Sequence, residues 1–311
     1  MNRGKRPTPR GAQDEGGRRR AEGPCREDSR EDGEKGRVSY LYKRHKLAVR
    51  LMHWVNALAA LLLLMSGLQI FNAHPALYWG KSSYTGRPPI LELTSNEDNE
   101  GIVTGITRIF GHEFKTTGVL GASANSEGEL VARGFPSWIT IPDSAWLAMA
   151  RRWHLFFAWI FVVNGLAYIG YSIATRHLAR DLAPTPRDWR SIGQSIRDHL
   201  RFRHPSGEAA KEYNVLQKVA YLAIVFVVLP LLVLMGLGMS PWVDSLVPGW
   251  VDLFGGRQSV RTLHFVAAWI LVAFVLVHVF EVVVTGFWNN VRSMITGRYR
   301  VDTGENHENA E

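Results

Sequence analysis

The sequence predicts an all-α integral membrane protein in which a bundle of four helices crosses the bilayer. Three observations lead to this fold class: four long apolar stretches, an uneven distribution of positive charge, and four histidines inside the apolar stretches. The 311-residue chain carries a formal net charge of +8. Its basic residues cluster in the tails and in one loop beside the apolar stretches, which favours contact with a membrane surface over contact with nucleic acid.

Four apolar stretches define the predicted spans. Each is near or above the ~20 residues that a helix needs to cross a ~30 Å hydrocarbon layer, and soluble helices rarely remain apolar on every face over such a length. The expected spans are residues 47–71, 145–172, 215–239 and 263–287. Pro230 lies inside the third span and is expected to kink it, which membrane helices tolerate.

The segments outside the spans differ in their expected order. Residues 1–38 are rich in charged residues and glycine and poor in large apolar side chains, so we expect a disordered tail. They also lack the apolar stretch of a signal peptide, and a wrongly assigned start codon is an alternative explanation of this tail. We expect residues 39–300 to form the membrane domain and residues 301–311 a polar tail. The loop of residues 72–144 is long for a connector, and long loops are usually functional or disordered; short strands or hairpins in it are left open.

The distribution of charge predicts the orientation. Residues 1–50 hold 15 Lys and Arg, and the loop of residues 173–213 holds eight, whereas residues 72–144 hold five against eight Asp and Glu. Because cytoplasmic segments carry an excess of positive residues, we expect both termini in the cytoplasm and the 72–144 loop outside. The predicted location is the bacterial inner (plasma) membrane.

The residues able to bind a metal are mainly histidines. The one cysteine, Cys25, lies in the polar tail, which excludes an intrachain disulfide, a CxxCH motif and a zinc or iron–sulfur centre held by cysteines. Four of the eleven histidines lie within the apolar stretches, where ionisable residues are costly and are functional candidates by default. These four are His53, His154, His264 and His278.

Their depths along the spans sort the four histidines into two level pairs. His53 lies early in span one and His278 near the end of span four, so both are expected near the cytoplasmic face. His154 and His264 lie early in spans two and four, near the outer face. His264 and His278 are 14 residues apart, which on a helix is roughly 21 Å along the axis and about 40° off the same face.

One helix can therefore present a ligand to each of two stacked sites. Haem b takes two axial imidazoles from facing helices, so the pattern predicts two haems stacked across the bilayer, with the inner iron between His53 and His278 and the outer iron between His154 and His264. A single histidine in a membrane helix is often only a helix–helix hydrogen bond. His45, before span one, is a competing ligand for the inner haem.

Arginines accompany the histidines at a fixed spacing. Arg50, Arg151 and Arg261 each precede a histidine by three residues and so share its helix face, and Arg152 follows Arg151. Arginine binds carboxylates in a bidentate manner, so these four residues are candidates to bind haem propionates. For the three at the outer ends of the spans, contact with lipid phosphates is the alternative.

Several motifs resemble those of one protein family. They are the Arg50-Leu-Met-His53-Trp54 segment with Asn56, the NAHPALYWG stretch at residues 72–80, Arg152-Trp-His154, and the pair His264 and His278. Over residues 40–300 the chain resembles the bacterial and hydrogenase-type di-haem cytochrome b-561 family. More narrowly, it is similar to thiosulfate-reductase-like cytochrome b subunits associated with periplasmic molybdopterin oxidoreductases.

The resemblance implies a function in electron transfer. It implies haem ligation by the four histidines, quinone chemistry, and a redox partner that we expect to dock on the 72–144 loop, where a molybdopterin oxidoreductase subunit would perform the substrate chemistry. Glu281, three residues after His278, is a candidate for proton transfer to a quinone, or else pairs with a cation such as Arg50. The alternatives are a stand-alone shuttle such as a superoxide:quinone oxidoreductase, and a haem-free anchor or transporter.

Overall fold

The computed structural model describes residues 38–84, 86–176, 183–201 and 214–303. Within these residues, four helices are long and apolar enough to cross a membrane. They are α1 (Leu47–Asn72), α2 (Leu147–Ala174), a composite third span (Val215–Gly238) and α8 (Arg257–Val284). The prediction of a four-helix membrane protein is confirmed. The tail predicted to be disordered, apart from Val38, lies outside the described residues.

The third span is not one continuous α-helix. It consists of α5 (Val215–Ala223), a π-helical turn (Ile224–Val228) and α6 (Leu229–Gly238). The π turn ends two residues before Pro230, whose ring and missing N–H interrupt the regular ladder of hydrogen bonds one turn earlier. The irregularity expected at this proline therefore takes the form of a wider turn.

The fourth span begins six residues before its predicted start, at Arg257. Hydropathy did not reveal this first part because it is polar: the Thr262 hydroxyl donates to Tyr78 O at 2.7 Å, and the Ser259 hydroxyl accepts from Gly80 N–H at 2.8 Å. Both side chains are buried. The helix therefore begins within the contacts that hold it to the loop of residues 72–144.

This loop contains β-structure, so the prediction of an all-α chain is wrong here. Four antiparallel strands form a sheet in the order β2 (Ala76–Leu77), β3 (Leu91–Glu97), β4 (Val103–Ile109) and β5 (His112–Lys115). A hairpin of β6 (Ala122–Ala124) and β7 (Leu130–Ala132) follows. Such short strands lack long apolar runs, and cross-strand pairs stabilise them instead.

Two ion pairs that Arg108 makes across neighbouring strands show how the register of the sheet is set. Glu92, Arg108 and Glu113 lie side by side on three adjacent strands. The Arg108 guanidinium donates to Glu92 at 2.7 Å and to Glu113 at 2.6 Å, and these hydrogen bonds raise the pKa of Arg108. The register of the three strands is thus matched by alternating charges.

The loop packs onto the end of α1. Leu68 and Phe71 of α1 form a buried cluster with Leu77, Leu93 and Phe135 of the loop. Behind this cluster, the Arg133 guanidinium donates to Gln69 Oε1 at 2.8 Å and to Thr140 Oγ1 at 2.7 Å. Apolar burial and a buried polar network together hold the loop to the span. We call this end of the bundle, with strands β2–β7, the loop face.

The opposite end carries both ends of the described chain, and we call it the terminal face. Here β1 (Val38–Lys43) pairs antiparallel with β8 (Arg298–Thr303), and Arg44 N–H donates to Gly297 O at 2.9 Å. The strand β8 continues beyond residue 300, the predicted end of the membrane domain. Within the described ranges, the other helical segments are Ser137–Ile139, α3 (Pro186–Arg190), α4 (Ile192–Leu200), α7 (Pro241–Leu246), Trp250–Phe254 and α9 (Phe287–Thr296).

Candidate functional site

The four histidines inside the spans lie in two facing pairs. His154 of α2 and His264 of α8 have ring centres 6.2 Å apart at an interplanar angle of 69°. His53 of α1 and His278 of α8 have ring centres 6.3 Å apart at 58°. We call the first the loop-side pair and the second the terminal-side pair, after the nearer face of the bundle. These are the two pairs that the depths of the histidines predict.

The separation within each pair suits one metal ion between two imidazoles. A metal–imidazole bond is about 2.0–2.1 Å long, and the ring centre lies about 1.2 Å behind the bonded nitrogen. Two imidazoles that share one metal ion from opposite sides would have centres roughly 6.4–6.6 Å apart, which is within about 0.4 Å of the 6.2 and 6.3 Å separations here. The donor sets fit bis-imidazole haem.

Hydrogen bonds orient both rings of the loop-side pair. His154 Nδ1 lies 3.1 Å from the Ser66 hydroxyl, which itself donates to Leu62 O at 2.6 Å and so accepts from the ring. His264 Nδ1 donates to Leu232 O at 2.9 Å. A proton held on Nδ1 leaves the lone pair of Nε2 available to a metal.

Each ring of the loop-side pair also lies against a glycine of a neighbouring span. A Cβ added at Gly67 would lie 3.3 Å from Cε1 of His154, and a Cβ added at Gly236 would lie 3.3 Å from Cε1 of His264. Contacts this short require the ring to move. The two glycines therefore set the distance between each ring and the backbone that supports it. By contrast, a Cβ at Gly170 meets nothing within 4 Å.

Aromatic side chains surround the terminal-side pair. His278 stacks on Phe274 at 6.1 Å and lies 6.5 Å from the Tyr221 ring, and His53 meets the edge of Trp54 at 5.3 Å. Among the described residues, Nδ1 of His53 is buried without a hydrogen-bond partner. A buried polar atom in this state indicates a further ligand or a water.

The arginines have different surroundings from one another. Arg261 donates to His74 O and, at 2.7 Å, to Ala76 O, so its guanidinium holds the NAHPALYWG stretch to the start of α8. Arg50 Nε donates to Met294 O at 3.3 Å. Arg151 and Arg152 are exposed at the start of α2. This geometry favours a positioning role for Arg261, and propionate binding by the other arginines stays a prediction.

The NAHPALYWG stretch forms an aromatic cluster above the loop-side pair. The His74 ring stacks on Tyr78 with centres 6.0 Å apart, and His74 Nδ1 lies 3.4 Å from the Tyr84 hydroxyl. Burial and the nearby charge of Arg261 lower the pKa of His74, whereas burial raises the pKa of Tyr78. Both side chains are therefore neutral at pH 7.

Glu281 and His45 lie on the terminal face. Glu281 is half-buried one turn beyond His278. A cavity of about 10 Å³, room for about one water molecule, lies between spans two and three near the terminal-side pair. Its exposed lining is almost entirely apolar, although Tyr168, Ser172 and Tyr221 are among the lining residues. His45 precedes α1, where its backbone N–H donates to Gly297 O at 3.4 Å, and the ring that faces His278 is that of His53.

Sequence reasoning missed the two groups that accept hydrogen bonds from the loop-side histidines. Ser66 interrupts the apolar run of span one, and this interruption is the signal that could have drawn attention to it. Leu232 acts through its backbone carbonyl, and nothing in its side chain indicates that contact.

Comparisons with known proteins indicate the family of this chain. Residues 44–297 match the family model of prokaryotic cytochrome b561. A chain of Azospira oryzae, named as a protein-methionine-sulfoxide reductase subunit (YedZ1), is 26% identical over 239 residues, which cover 77% of this chain and 89% of that one. A chain of Cupriavidus necator, named as a Ni/Fe-hydrogenase B-type cytochrome subunit, is 25% identical over 279 residues, which cover 85% and 88%. A chain of the same name from Azotobacter vinelandii is 29% identical over 151 residues, which cover 44% and 62%.

The matched region includes all four spans, both histidine pairs and the loop face. The resemblance to hydrogenase-type cytochromes that the sequence motifs indicate is confirmed. The family name implies b-type haem, and the relatives are named as subunits of redox enzymes. The chain therefore belongs to the prokaryotic cytochrome b561 family, membrane cytochromes that transfer electrons.

Proposed function

We propose that this chain is a di-haem cytochrome that passes electrons between the quinone pool and a peripheral oxidoreductase subunit. The observation that carries the proposal is the pair of facing imidazole sets, 6.2 and 6.3 Å between ring centres, that share α8. His264 and His278 lie 14 residues apart on that helix, which separates them by roughly 21 Å along its axis. Two centres at this spacing would carry electrons across most of the hydrocarbon layer.

The four histidines would hold one haem b at each pair. When bound, each haem supplies a one-electron carrier. The chain's own contribution is to fix the ligands: Ser66 and Leu232 O orient the loop-side rings, and the aromatic side chains around His278 pack the terminal-side rings. The exposed Arg151 and Arg152 are free of the loop contacts that occupy Arg261, so they are the better candidates to bind propionates of the loop-side haem.

We place the quinone at the terminal side of the bundle. The Tyr221 ring lies 6.5 Å from the His278 ring on that side. Hydroxyl groups can position the carbonyls of a quinone head group. Glu281, one turn beyond His278, is the candidate for proton transfer between that site and the surrounding water.

We place the redox partner on the loop face. The sheet there is fixed to α1 and α8. Two aromatic side chains on this face, Phe110 in the turn between β4 and β5 and Trp138 in the helical turn Ser137–Ile139, are each 75% exposed. The two first relatives are named as subunits, which supports a partner enzyme. A molybdopterin oxidoreductase remains our choice of partner on the resemblance of the NAHPALYWG stretch, with the chain in the bacterial inner membrane and both termini in the cytoplasm.

The haem content of the purified chain tests this proposal. We expect two low-spin b-type haems per chain, both reducible by dithionite and at least one reducible by a quinol. One haem per chain would limit the proposal to a single centre. A well-folded preparation from haem-replete cells that contains no haem would overturn it. Co-purification of a redox subunit that is lost when Phe110 and Trp138 are changed to Ser would support the loop face as the docking surface.

A further inference from the structure

A cleft of about 400 Å³ lies on the terminal face, between α9 and β8. Its lining residues are Trp288, Asn289, Arg292 and Arg300. The Asn289 side chain joins α9 to β8. It donates to Arg300 O at 2.8 Å and accepts from Arg300 N–H at 2.8 Å. The Arg292 guanidinium donates to the same side-chain oxygen at 2.9 Å. Helix and strand are thus locked so that two guanidinium groups line one cleft.

The surroundings of the cleft are strongly basic. Residues 38–50 and 281–303 together hold seven Lys and Arg against two Asp and Glu. The Arg292 guanidinium donates through Nη2 to Asn289 and carries further N–H donors on its terminal nitrogens, and Arg300 is exposed. The cleft therefore offers positive charge to a negatively charged ligand.

The position of the cleft indicates which kind of anion it meets. α9 begins at Phe287, three residues after α8 ends at Val284, so its first turn lies where span four leaves the hydrocarbon layer. Trp288 is 81% exposed and Phe287 43% exposed on that turn. Exposed tryptophan at the end of a membrane span typically sits at the level of the lipid head groups. The cleft is thus lined by an indole, which can pack against acyl or glycerol groups, and by arginines, which can bind phosphate.

We propose that this cleft binds the head group of an anionic phospholipid. Arg292 and Arg300 bind its phosphate oxygens, a geometry that the planar guanidinium suits, and Trp288 packs against the glycerol and the start of the acyl chains. Basic pockets beside membrane spans bind anionic head groups through the same chemistry. The proposal does not depend on the haems, because none of these residues contacts a histidine pair.

Lipid titration of the detergent-purified full chain, followed by native mass spectrometry, tests the proposal. We expect phosphatidylglycerol to bind in preference to phosphatidylcholine, and the double variant R292Q/R300Q to bind phosphatidylglycerol roughly 10- to 30-fold more weakly. The matched control is K43Q/R298Q, which removes two exposed charges that face each other across β1 and β8, outside the cleft. The control is expected to bind within about threefold of the unchanged chain.

Three results would overturn the proposal. Equal weakening in the control variant would mean that surface charge, not the cleft, attracts the lipid. Equal binding of phosphatidylcholine would remove the role of the anionic charge. Displacement of phosphatidylglycerol by millimolar inorganic phosphate would identify the ligand as a free anion.

A second measurement avoids the risk that R292Q/R300Q fails to fold. Brominated phosphatidylglycerol quenches the fluorescence of nearby tryptophan, so the unchanged chain is compared with W288F. We expect the Trp288 contribution to be quenched by brominated phosphatidylglycerol at concentrations where brominated phosphatidylcholine has little effect. Equal quenching by both lipids would contradict a selective site.

Discussion

The two histidine pairs have the same ligands but different supports. In the loop-side pair, hydrogen bonds that the rings donate to the Ser66 hydroxyl and to Leu232 O fix the tautomer of each ring, and Gly67 and Gly236 lie against the ring edges. In the terminal-side pair, aromatic side chains pack the rings, and His53 Nδ1 has no hydrogen-bond partner among the described residues. The comparison shows that the protein can position identical ligands either by polar contacts or by packing.

This difference has an electronic consequence. A histidine that donates its Nδ1 proton to an acceptor is a more basic ligand, and a basic ligand stabilises the oxidised metal. Both rings of the loop-side pair have such an acceptor. With other influences equal, the loop-side centre is expected to have the lower reduction potential of the two.

Loss of a ligand has the largest expected effect and tests whether the pairs are independent. We expect H264A to remove the loop-side haem and H278A the terminal-side haem, so that each variant retains about half of the haem. The measurement is haem content per chain with a redox titration of each variant. Because both residues lie on α8, a variant that loses both haems would mean that the two sites do not fold independently. H45A is the matched control and is expected to retain both haems.

Crowding the glycines tests the packing of the loop-side pair alone. G67V and G236V each place a branched side chain where a single Cβ would already lie 3.3 Å from a histidine carbon. We expect each change to weaken retention of the loop-side haem by roughly 10- to 100-fold, with the terminal-side haem unchanged. G170V is the control, since a Cβ there meets nothing within 4 Å. Equal loss of haem in G170V would show that general strain of the spans causes the effect.

The contrast between the pairs also shows what the sequence can predict. Four spans follow from apolar length, and the depths of His53, His154, His264 and His278 follow from counting residues along those spans. The structure places the rings in the pairs that this counting predicts. Contacts made through the backbone do not follow from side-chain patterns, so the acceptor at Leu232 O was not predictable.

The loop face was harder to predict for a different reason. Its strands are short and mixed in character, and the Arg108 contacts that fix their register appear in the sequence only as scattered charges. The first turns of α8 contain polar residues, among them Ser259 and Thr262, whose hydroxyl groups bind the loop. Hydropathy therefore placed the start of the span too late. Arg261 shares a helix face with His264, as its spacing indicates, but its guanidinium binds loop carbonyls.

Removing a single hydrogen bond tests the electronic difference between the pairs and is expected to narrow it. In S66A, His154 Nδ1 loses its acceptor, the ring becomes a weaker donor to iron, and the potential of the loop-side haem is expected to rise. A hydrogen bond worth about 0.5–1.5 kcal/mol corresponds to roughly 20–60 mV for one electron. Spectroelectrochemical titration of both haems measures it. A fall in potential, or an equal change in the terminal-side haem, would contradict the proposed role of Ser66.

The smallest expected effect concerns the support of the terminal-side pair. Lys218, one turn before Tyr221, donates to Asp188 at 3.0 Å, and this half-buried ion pair holds the start of the third span to α3. Hydrogen bonds from the backbone N–H of Thr185 and from the Lys218 side chain lower the pKa of Asp188. A carboxyl with a depressed pKa in the folded state contributes stability above its unfolded pKa of about 3.9, and that contribution is lost as the pH falls further.

We therefore expect D188N to lower the melting temperature by about 1–2 °C at pH 7, with the difference constant down to about pH 5 and shrinking below about pH 4. Thermal unfolding at a series of pH values measures this. The matched control is D252N, which breaks an ion pair of the same 3.0 Å length on the loop face, where Lys81 and Asp252 are 74% and 50% exposed. Solvent screens exposed ion pairs, so D252N is expected to have the smaller effect. A larger loss of melting temperature in D252N than in D188N would contradict this prediction. It would mean that exposed ion pairs stabilise the loop face more than the Lys218–Asp188 pair stabilises the terminal face.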